Sequence, residues 1–175
     1  LKKPEVDQDR IAVYGISGGG YYVPRASAYD KRIKACISNC AVPDIGKIMG
    51  EMAIQNQKAV SAGIKMSPFN IRMFQIMAWR HGVSMDNIQG LLEKTRDFVF
   101  DPSLITCPAL NICSNGEYLN PASRAMEDYY MKALPNPNKK MIIAPFEDGG
   151  GTHCLGENTG LLSALLFDWL DEIFA

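Results

Sequence analysis

The sequence predicts an α/β fold in which a parallel sheet of about four strands carries flanking helices. Four short apolar runs have the length and composition of strands, and they lie at 10–14, 34–41, 108–113 and 140–145. Segments of helical character separate these runs, and strands that alternate with helices favour a parallel sheet. The chain closes with an amphipathic segment at 158–174, in which apolar residues recur at helical spacing.

Composition narrows the class of protein. The chain has 175 residues, of which 47% are hydrophobic and 21% charged, and this fits one globular domain with a buried core. Its formal net charge of −1 gives no electrostatic basis for binding nucleic acid or an anionic membrane. No apolar run of the sequence approaches the length of a membrane span. We therefore expect a partner that is neither a nucleic acid nor a membrane.

The most informative motif is the glycine-rich segment 15–20, which follows the first predicted strand. It contains Gly-x-Ser-x-Gly at Gly15, Ser17 and Gly19, and this pattern between a strand and a helix is typical of a nucleophile elbow. The turn is sharp, so the residues two before and two after the serine are expected to be small, as Gly15 and Gly19 are. Such a turn lifts the serine hydroxyl above the sheet and directs the N–H of Gly18 at a developing oxyanion. An ordinary glycine-rich turn is the alternative. The segment lacks the Gly-Lys-Ser/Thr ending of a phosphate-binding loop and the G-x-G-x-x-G spacing of a dinucleotide site.

An elbow serine needs a base, which comes late in the chain, in the order serine, acid, histidine. The sequence has two histidines. His153 lies in a glycine-containing loop after the last predicted strand, and from there an imidazole can reach the serine. His81 comes early, near the end of an apolar helical stretch, and is predicted to be a helix-end residue. His153 is therefore the predicted base.

The acid is expected after the preceding strand, at 108–113. Glu117 follows that strand and lies four residues before Pro121. A glutamate can orient and stabilise an imidazolium as an aspartate does. Glu117 is the predicted acid, and Asp44 is the alternative. Asp128 falls inside the next predicted helix, where a structural or surface role is expected.

Beyond the elbow and His153, the chain carries several shorter motifs. They are Tyr-Tyr-x-Pro-Arg at 21–25, His-Gly-Val-Ser at 81–84, Ile-Thr-Cys-Pro at 105–108 and Thr-His-Cys at 152–154. With these features nearly the whole chain resembles α/β-hydrolases of the group that includes 2,6-dihydropseudooxynicotine hydrolase, fungal polyketide-shortening hydrolases and acylaminoacyl-peptidase-like proteins. The resemblance implies that Ser17 is the nucleophile and His153 the base. The group usually has aspartate where this chain has Glu117, and its members cleave different bonds, including carbon–carbon bonds next to carbonyls.

The resemblance also implies that the chain is the C-terminal portion of an α/β-hydrolase domain. A complete domain has about four strands before the elbow, and those strands normally supply the second oxyanion-hole donor. We therefore interpret residues 1–175 as a partial hydrolase domain. The missing N-terminal half of the same protein, or an oligomer partner, is expected to cover an otherwise unpaired edge of the strand at 10–14.

A helical insertion is predicted at 44–104, between the second and third strands. It contains six of the nine methionines, namely Met49, Met52, Met66, Met73, Met77 and Met85. Methionine suits adaptable apolar pockets, and the resemblance implies that insertions at this point often cover the active site. The segment is therefore a candidate lid that shapes an apolar acyl site. Plain helix packing explains the methionines equally well.

The cysteines favour reduced thiols. There are five, at Cys36, Cys40, Cys107, Cys113 and Cys154, and an odd number placed mainly on strands is typical of a cytoplasmic protein. No Cys-x-x-Cys occurs, so no zinc or other metal site is expected. Cys154 adjoins the predicted base and is expected to be a small packing residue, with a redox-sensitive neighbour of the base as the alternative.

Together these observations predict a serine hydrolase that acts without a cofactor on a small-molecule or peptide acyl substrate. The bond cleaved is an ester, an amide or an acyl carbon–carbon bond. Ser17, Glu117 and His153 form the expected triad, and an acyl-enzyme is the expected intermediate. A non-catalytic binding module that keeps the hydrolase fold is the alternative, although such a module has no need of the three residues in this order.

Overall fold

The computed structural model describes residues 3–175, which contain a four-stranded parallel sheet with the order β1-β2-β3-β4. The strands are β1 (Ala12–Ile16), β2 (Ala35–Asn39), β3 (Ala109–Ser114) and β4 (Lys139–Ala144). Each strand pairs in parallel with the next one along the chain. The carboxyl ends of all four strands therefore lie at one edge of the sheet, which is where α/β folds place their sites.

Within residues 3–175, seven α-helices connect or follow the strands. They are α1 (Gly19–Tyr29), α2 (Ile45–Ser61), α3 (Pro68–Arg80), α4 (Ile88–Thr95), α5 (Asn115–Tyr118), α6 (Pro121–Ala133) and α7 (Thr159–Phe174). Short 3-10 helices lie at Pro102–Leu104, Phe146–Asp148 and His153–Leu155. Polar side chains begin several helices, as where Asn120 accepts the N–H groups of Ala122 and Ser123 at the start of α6. None of the helices in this part of the chain has the length and apolar character needed to cross a membrane.

The two central strands explain the continuous apolar runs of the sequence. Every residue of β2 and β3 is buried, because neighbouring strands and helices leave neither face open to water. The helix α7 packs Leu166 and Trp169 into the same core cluster as Ile37 and Ile112. This packing supports the sheet beneath the edge at which its strands end.

The chain divides into two compact units. One comprises the residues up to Pro43 together with Phe100–Ala175, and the other comprises Asp44–Val99. The second unit contains α2, α3 and α4 around a small core of Ala53, Phe74 and Leu91. It begins and ends within the insertion predicted at 44–104, and the remaining residues of that segment lie in the first unit. Its role as a lid stays a prediction.

The strand β1 lies at one edge of the sheet. Among the described residues its ladder partners come from β2 alone, and Tyr14 and Ile16 expose 39% and 47% of their surface. An apolar groove of about 360 Å³ runs beside this edge, between β1 and α7. The expected cover for this edge, whether a further segment or a partner chain, stays a prediction.

The first strand begins two residues later than the sequence predicts. A turn in which the N–H of Arg10 donates to the carbonyl of Asp7 occupies the start of the predicted run. The strand β1 ends at Ile16, two residues later than predicted, and Ser17 follows it directly. This shift places the serine at the tip of the turn between β1 and α1.

Steric contact explains why the turn is rich in glycine, although not at every predicted position. A Cβ atom on Gly15 would lie 2.2 Å from the carbonyl oxygen of Gly19, and one on Gly20 would lie 2.0 Å from that of Cys40. Outside its chain neighbours and its own helix backbone, a Cβ atom on Gly19 would meet no atom within 4 Å. The requirement for small residues therefore falls on Gly15 and Gly20, and the expectation that Gly19 must be small for the same reason is not met.

This difference yields a paired test of stability. Gly20→Ala is expected to lower the free energy of unfolding by about 1–3 kcal/mol, because the added methyl group presses on the backbone after β2. Gly19→Ala is expected to leave that free energy unchanged or raise it by up to about 1 kcal/mol, because alanine favours helix over glycine. Urea denaturation followed by circular dichroism measures both values. Equal destabilisation by the two substitutions would contradict the steric account.

Candidate active site

Ser17 occupies a strained turn at the carboxyl end of β1. Its backbone has φ of 56°, in the left-handed region that non-glycine residues seldom adopt. Its N–H donates to the carbonyl of Asn39 at 3.2 Å, and its carbonyl accepts the N–H of Gly20 at 2.8 Å. Gly18 follows as the N-cap of α1. The side chain of Ser17 is therefore held at the tip of the turn by bonds to the next strand and to the helix that follows.

His153 reaches Ser17 from the loop that follows β4. Its Nε2 lies 2.8 Å from Oγ of Ser17. The loop is fixed at its base, since the N–H of Gly150 donates to the carbonyl of Pro145 at 2.8 Å and its carbonyl accepts the N–H of Gly116 at 2.9 Å. The loop that carries the imidazole is thus hydrogen-bonded to the residue that follows β4 and to the turn after β3.

Glu117 lies in the short helix α5, directly after β3. Its Oε1 is hydrogen-bonded to Nδ1 of His153. Its Oε2 accepts hydrogen bonds from Oγ of Ser114 at 3.0 Å, from the N–H of Cys154 at 2.9 Å and from Sγ of Cys40 at 2.7 Å. Because an ionised carboxylate only accepts hydrogen bonds, Nδ1 of His153 carries a proton. When the ring is neutral, its Nε2 therefore accepts a hydrogen bond from the hydroxyl of Ser17.

Electrostatics favour an ionised acid beside a basic imidazole. Burial raises the pKa of Glu117, but the hydrogen bonds from His153, Cys40 and the N–H of Cys154 outweigh it and lower that pKa to about 2. The hydrogen bonds of His153 with the Cys154 thiol and with Glu117 raise the pKa of the imidazole above its usual value. The site therefore holds a fixed negative charge behind an imidazole of increased basicity.

Three side chains of the site do not belong to the predicted set of serine, acid and base. Cys40 contacts Glu117, and Sγ of Cys154 lies 3.4 Å from Nε2 of His153. Cys154 is also buried in a small core cluster with Cys40 and Cys113, as a packing residue would be. Asn39 donates from Nδ2 to the carbonyl of Cys154 at 3.0 Å and so holds the loop against β2. The position of Cys154 next to the histidine was a local signal in the sequence. Cys40 and Asn39 gave none, because their partners lie far along the chain.

A buried polar network supports the turn that carries Cys40. Oδ1 of Asn111 accepts the N–H of Ala41 at 3.1 Å and the hydroxyl of Ser38 at 3.0 Å, and its Nδ2 donates to Glu127. Burial raises the pKa of Glu127 to about 8, so this carboxyl is mostly protonated at neutral pH. A protonated Glu127 leaves this buried network without a charge.

The other candidates have local structural partners. Asp44 is the N-cap of α2 and accepts the N–H of Lys47 at 2.8 Å. Asp128 accepts the hydroxyl of Tyr118 at 2.8 Å. His81 is the C-cap of α3, as expected of a helix-end residue. The carboxylate at the imidazole of His153 is that of Glu117.

Among the comparisons with known proteins, the one with solved structures identifies the fold. No family model matches the chain, and a comparison with curated proteins found no match. The crystal structure of 2,6-dihydroxy-pseudo-oxynicotine hydrolase is similar with a TM-score of 0.67 and 18% identity, over 98% of this chain and 42% of that one. The crystal structure of the α/β hydrolase GrgF from Penicillium sp. sh18 has a TM-score of 0.56 and 18% identity, over 98% of this chain and 66% of that one. Acetyl xylan esterase 1 from Thermoanaerobacterium sp. JW/SL YS485 has a TM-score of 0.55 and 18% identity, over 99% of this chain and 49% of that one.

These similarities show the fold: the chain has an α/β-hydrolase fold, as the sequence predicts. The sheet of four parallel strands with flanking helices is likewise confirmed. The chain spans less than half the length of the first of these proteins and about two thirds of the second. At 18% identity the similarity concerns the fold, and the chemistry of the chain must be argued from its own residues.

The hydrogen bond between Glu117 and His153 leads to a test by titration. Glu117→Gln is expected to lower the pKa of His153 by about 1–3 pH units, because the neutral amide no longer stabilises the imidazolium. The measurement is the pH dependence of the His153 Cε1–H resonance in proton NMR. Asp128→Asn is the matched control, since it removes a carboxylate bonded to Tyr118, and it should leave that pKa unchanged. An unaltered pKa in Glu117→Gln would contradict the assignment of this carboxylate.

Proposed function

We propose that this chain supplies the nucleophile, the base and the acid of a serine hydrolase that cleaves acyl compounds through a covalent intermediate. The observation that carries the proposal is the pair of hydrogen bonds on His153, with Ser17 at one ring nitrogen and Glu117 at the other. A hydroxyl, an imidazole and a carboxylate in this order activate serine for acyl transfer. The hydrolase names of proteins with the same fold support this choice.

In the proposed reaction, Nε2 of His153 takes the proton of Ser17 while Oγ attacks the carbonyl carbon of the substrate. Glu117 accepts the Nδ1–H of the ring and stabilises the imidazolium that forms. The N–H of Gly18, which follows the nucleophile, donates to the oxyanion. A second donor is proposed to come from outside residues 3–175.

The second half of the reaction restores the serine. His153 gives its proton to the leaving group, and the acyl group stays on Ser17. Water then attacks the acyl carbon with His153 again as the base, so that acid and free enzyme are released. Esters, amides and acyl carbon–carbon bonds all fit this scheme, the last with a carbanion as the leaving group. We place the reaction in a reducing cytoplasm, because all five cysteines are free thiols.

The basicity of the imidazole determines the pH dependence of this chemistry. The base must be neutral, and the hydrogen bonds to Cys154 and Glu117 raise the pKa of His153. Activity is therefore expected to rise with pH through a pKa above that of an ordinary histidine. A more basic imidazole also accepts the serine proton more favourably once it is neutral.

Covalent labelling tests the proposal without knowledge of the substrate. A fluorophosphonate probe is expected to modify the full-length protein at Ser17, as located by peptide mass spectrometry, because only an activated serine attacks the phosphorus. Ser17→Ala should abolish the modification, and His153→Ala should slow it by several orders of magnitude. Ser163→Ala, which removes an exposed hydroxyl on α7, should leave it unchanged. Undiminished labelling of Ser17→Ala would exclude the proposed nucleophile.

A further inference from the structure

Two thiols that the proposed reaction does not use lie beside the hydrogen-bonded pair of Glu117 and His153. Sγ of Cys154 lies 3.8 Å from Sγ of Cys40 and 3.4 Å from Nε2 of His153. Sγ of Cys40 lies 2.7 Å from Oε2 of Glu117. One possible ligand atom from each of these four side chains lies within 4.8 Å of the others.

Two of these separations, between the two sulfur atoms and between Sγ of Cys154 and Nε2 of His153, fit the edges of a tetrahedral metal site. Zinc binds thiolate sulfur at about 2.3 Å and imidazole nitrogen at about 2.0–2.1 Å. In a tetrahedron with those bond lengths, two sulfur atoms lie about 3.8 Å apart, and a sulfur and a nitrogen lie about 3.5 Å apart. The observed distances are 3.8 Å between Cys40 and Cys154 and 3.4 Å between Cys154 and His153. Sγ of Cys40 and Oε2 of Glu117 lie 2.7 Å apart, closer than the about 3.5 Å between sulfur and oxygen in such a tetrahedron, so metal binding requires Glu117 to move.

The surroundings of the four side chains also suit a metal ion. Cys40 and Cys154 are 6% and 2% exposed, which shields thiolate ligands from solvent, while the side chain of His153 is 62% exposed and opens a path for entry. Glu117 is oriented by Ser114 and by the N–H of Cys154, as outer partners orient a ligand in known metal sites. Cys40 and Cys154 both have left-handed backbone, with φ of 63° and 56°, and their sulfur atoms lie 3.8 Å apart.

We propose that Cys40, Cys154, His153 and Glu117 bind one soft divalent metal ion of the Zn²⁺ or Cd²⁺ type, and that this ion inhibits the hydrolase. Binding replaces the two thiol protons, which pass to solvent, by two metal–sulfur bonds. Coordination also takes the imidazole nitrogen and the carboxylate away from their bonds with each other and with Ser17. Metal binding and activation of Ser17 therefore exclude each other. The inhibitory part rests on the proposed function, whereas the binding site rests on geometry alone.

Titration of the full chain with Co²⁺ tests the site directly, because cobalt in tetrahedral thiolate coordination has intense visible bands and a sulfur-to-metal band in the near ultraviolet. The titration is done without oxygen on fully reduced protein. We expect these bands to saturate at one equivalent of Co²⁺ and to disappear when Zn²⁺ displaces the cobalt. The absence of tetrahedral bands in the unsubstituted protein would overturn the proposal, whatever the variants do.

Single substitutions locate the ligands. Cys40→Ser and Cys154→Ser should each weaken Co²⁺ binding at least about tenfold and reduce the sulfur-to-metal band. Cys107→Ser is the matched control, because this half-buried thiol lies outside the cluster. Circular dichroism verifies that each variant is folded. Full affinity in both Cys40→Ser and Cys154→Ser, or an equal loss in Cys107→Ser, would overturn the proposal.

Ser17→Ala separates this proposal from the proposed function. Since Ser17 is not a ligand, this variant should bind Co²⁺ with at least the affinity of the unsubstituted protein. In the unsubstituted protein, Zn²⁺ should protect Ser17 from the fluorophosphonate, and a chelator should restore labelling. Saturating Zn²⁺ without protection of a Ser17 that labels normally would overturn the inhibitory part. If Ser17 is never labelled, the proposed function fails, while the cobalt spectra still decide on the site.

Discussion

Left-handed backbone at Ser17, Cys40 and Cys154 determines where the chemical groups of this molecule meet. Such a conformation costs a non-glycine residue about 1–2 kcal/mol, so the surrounding structure must enforce it. The backbone N–H of each residue is hydrogen-bonded. That of Ser17 donates to the carbonyl of Asn39, that of Cys40 to the carbonyl of Ile112, and that of Cys154 to the carboxylate of Glu117. The strain is thus concentrated at the carboxyl edge of the sheet, where Ser17 and Cys154 contact the imidazole of His153 and Cys40 contacts the carboxylate of Glu117.

The carboxylate of Glu117 joins these segments. It accepts hydrogen bonds from Cys40 after β2, from Ser114 at the end of β3 and from Cys154 after β4, and so it has a structural role beside its proposed chemical one. The same acceptors that orient His153 toward Ser17 make the carboxylate a possible metal ligand. A single set of side chains therefore supports two arrangements. In one, the imidazole is hydrogen-bonded to Ser17. In the other, which we propose, the imidazole coordinates a metal ion.

Sequence reasoning worked where the signal is local. The strand before Ser17, the position of Glu117 after a strand and the late glycine loop with His153 are features of neighbouring residues, and the structure brings these three side chains together. It failed where contact depends on distant segments. The steric role of Gly20 arises from Cys40, and the contact of Cys40 with Glu117 joins residues 77 positions apart. The spacing of residues along the chain likewise does not indicate the metal ligands that we propose, because only the fold brings Cys40 close to Glu117 and Cys154.

The proposed reaction requires that Oγ of Ser17 attacks with Nε2 of His153 as its base, and that the N–H of Gly18 donates to the oxyanion that forms. The most direct measurement is a crystal structure of the full-length protein after reaction with a fluorophosphonate. The account predicts phosphorus bonded to Oγ of Ser17, a phosphoryl oxygen within hydrogen-bond distance of the Gly18 N–H, and Glu117 still at Nδ1 of His153. Phosphorus on another side chain, or a phosphoryl oxygen directed away from Gly18, would contradict it.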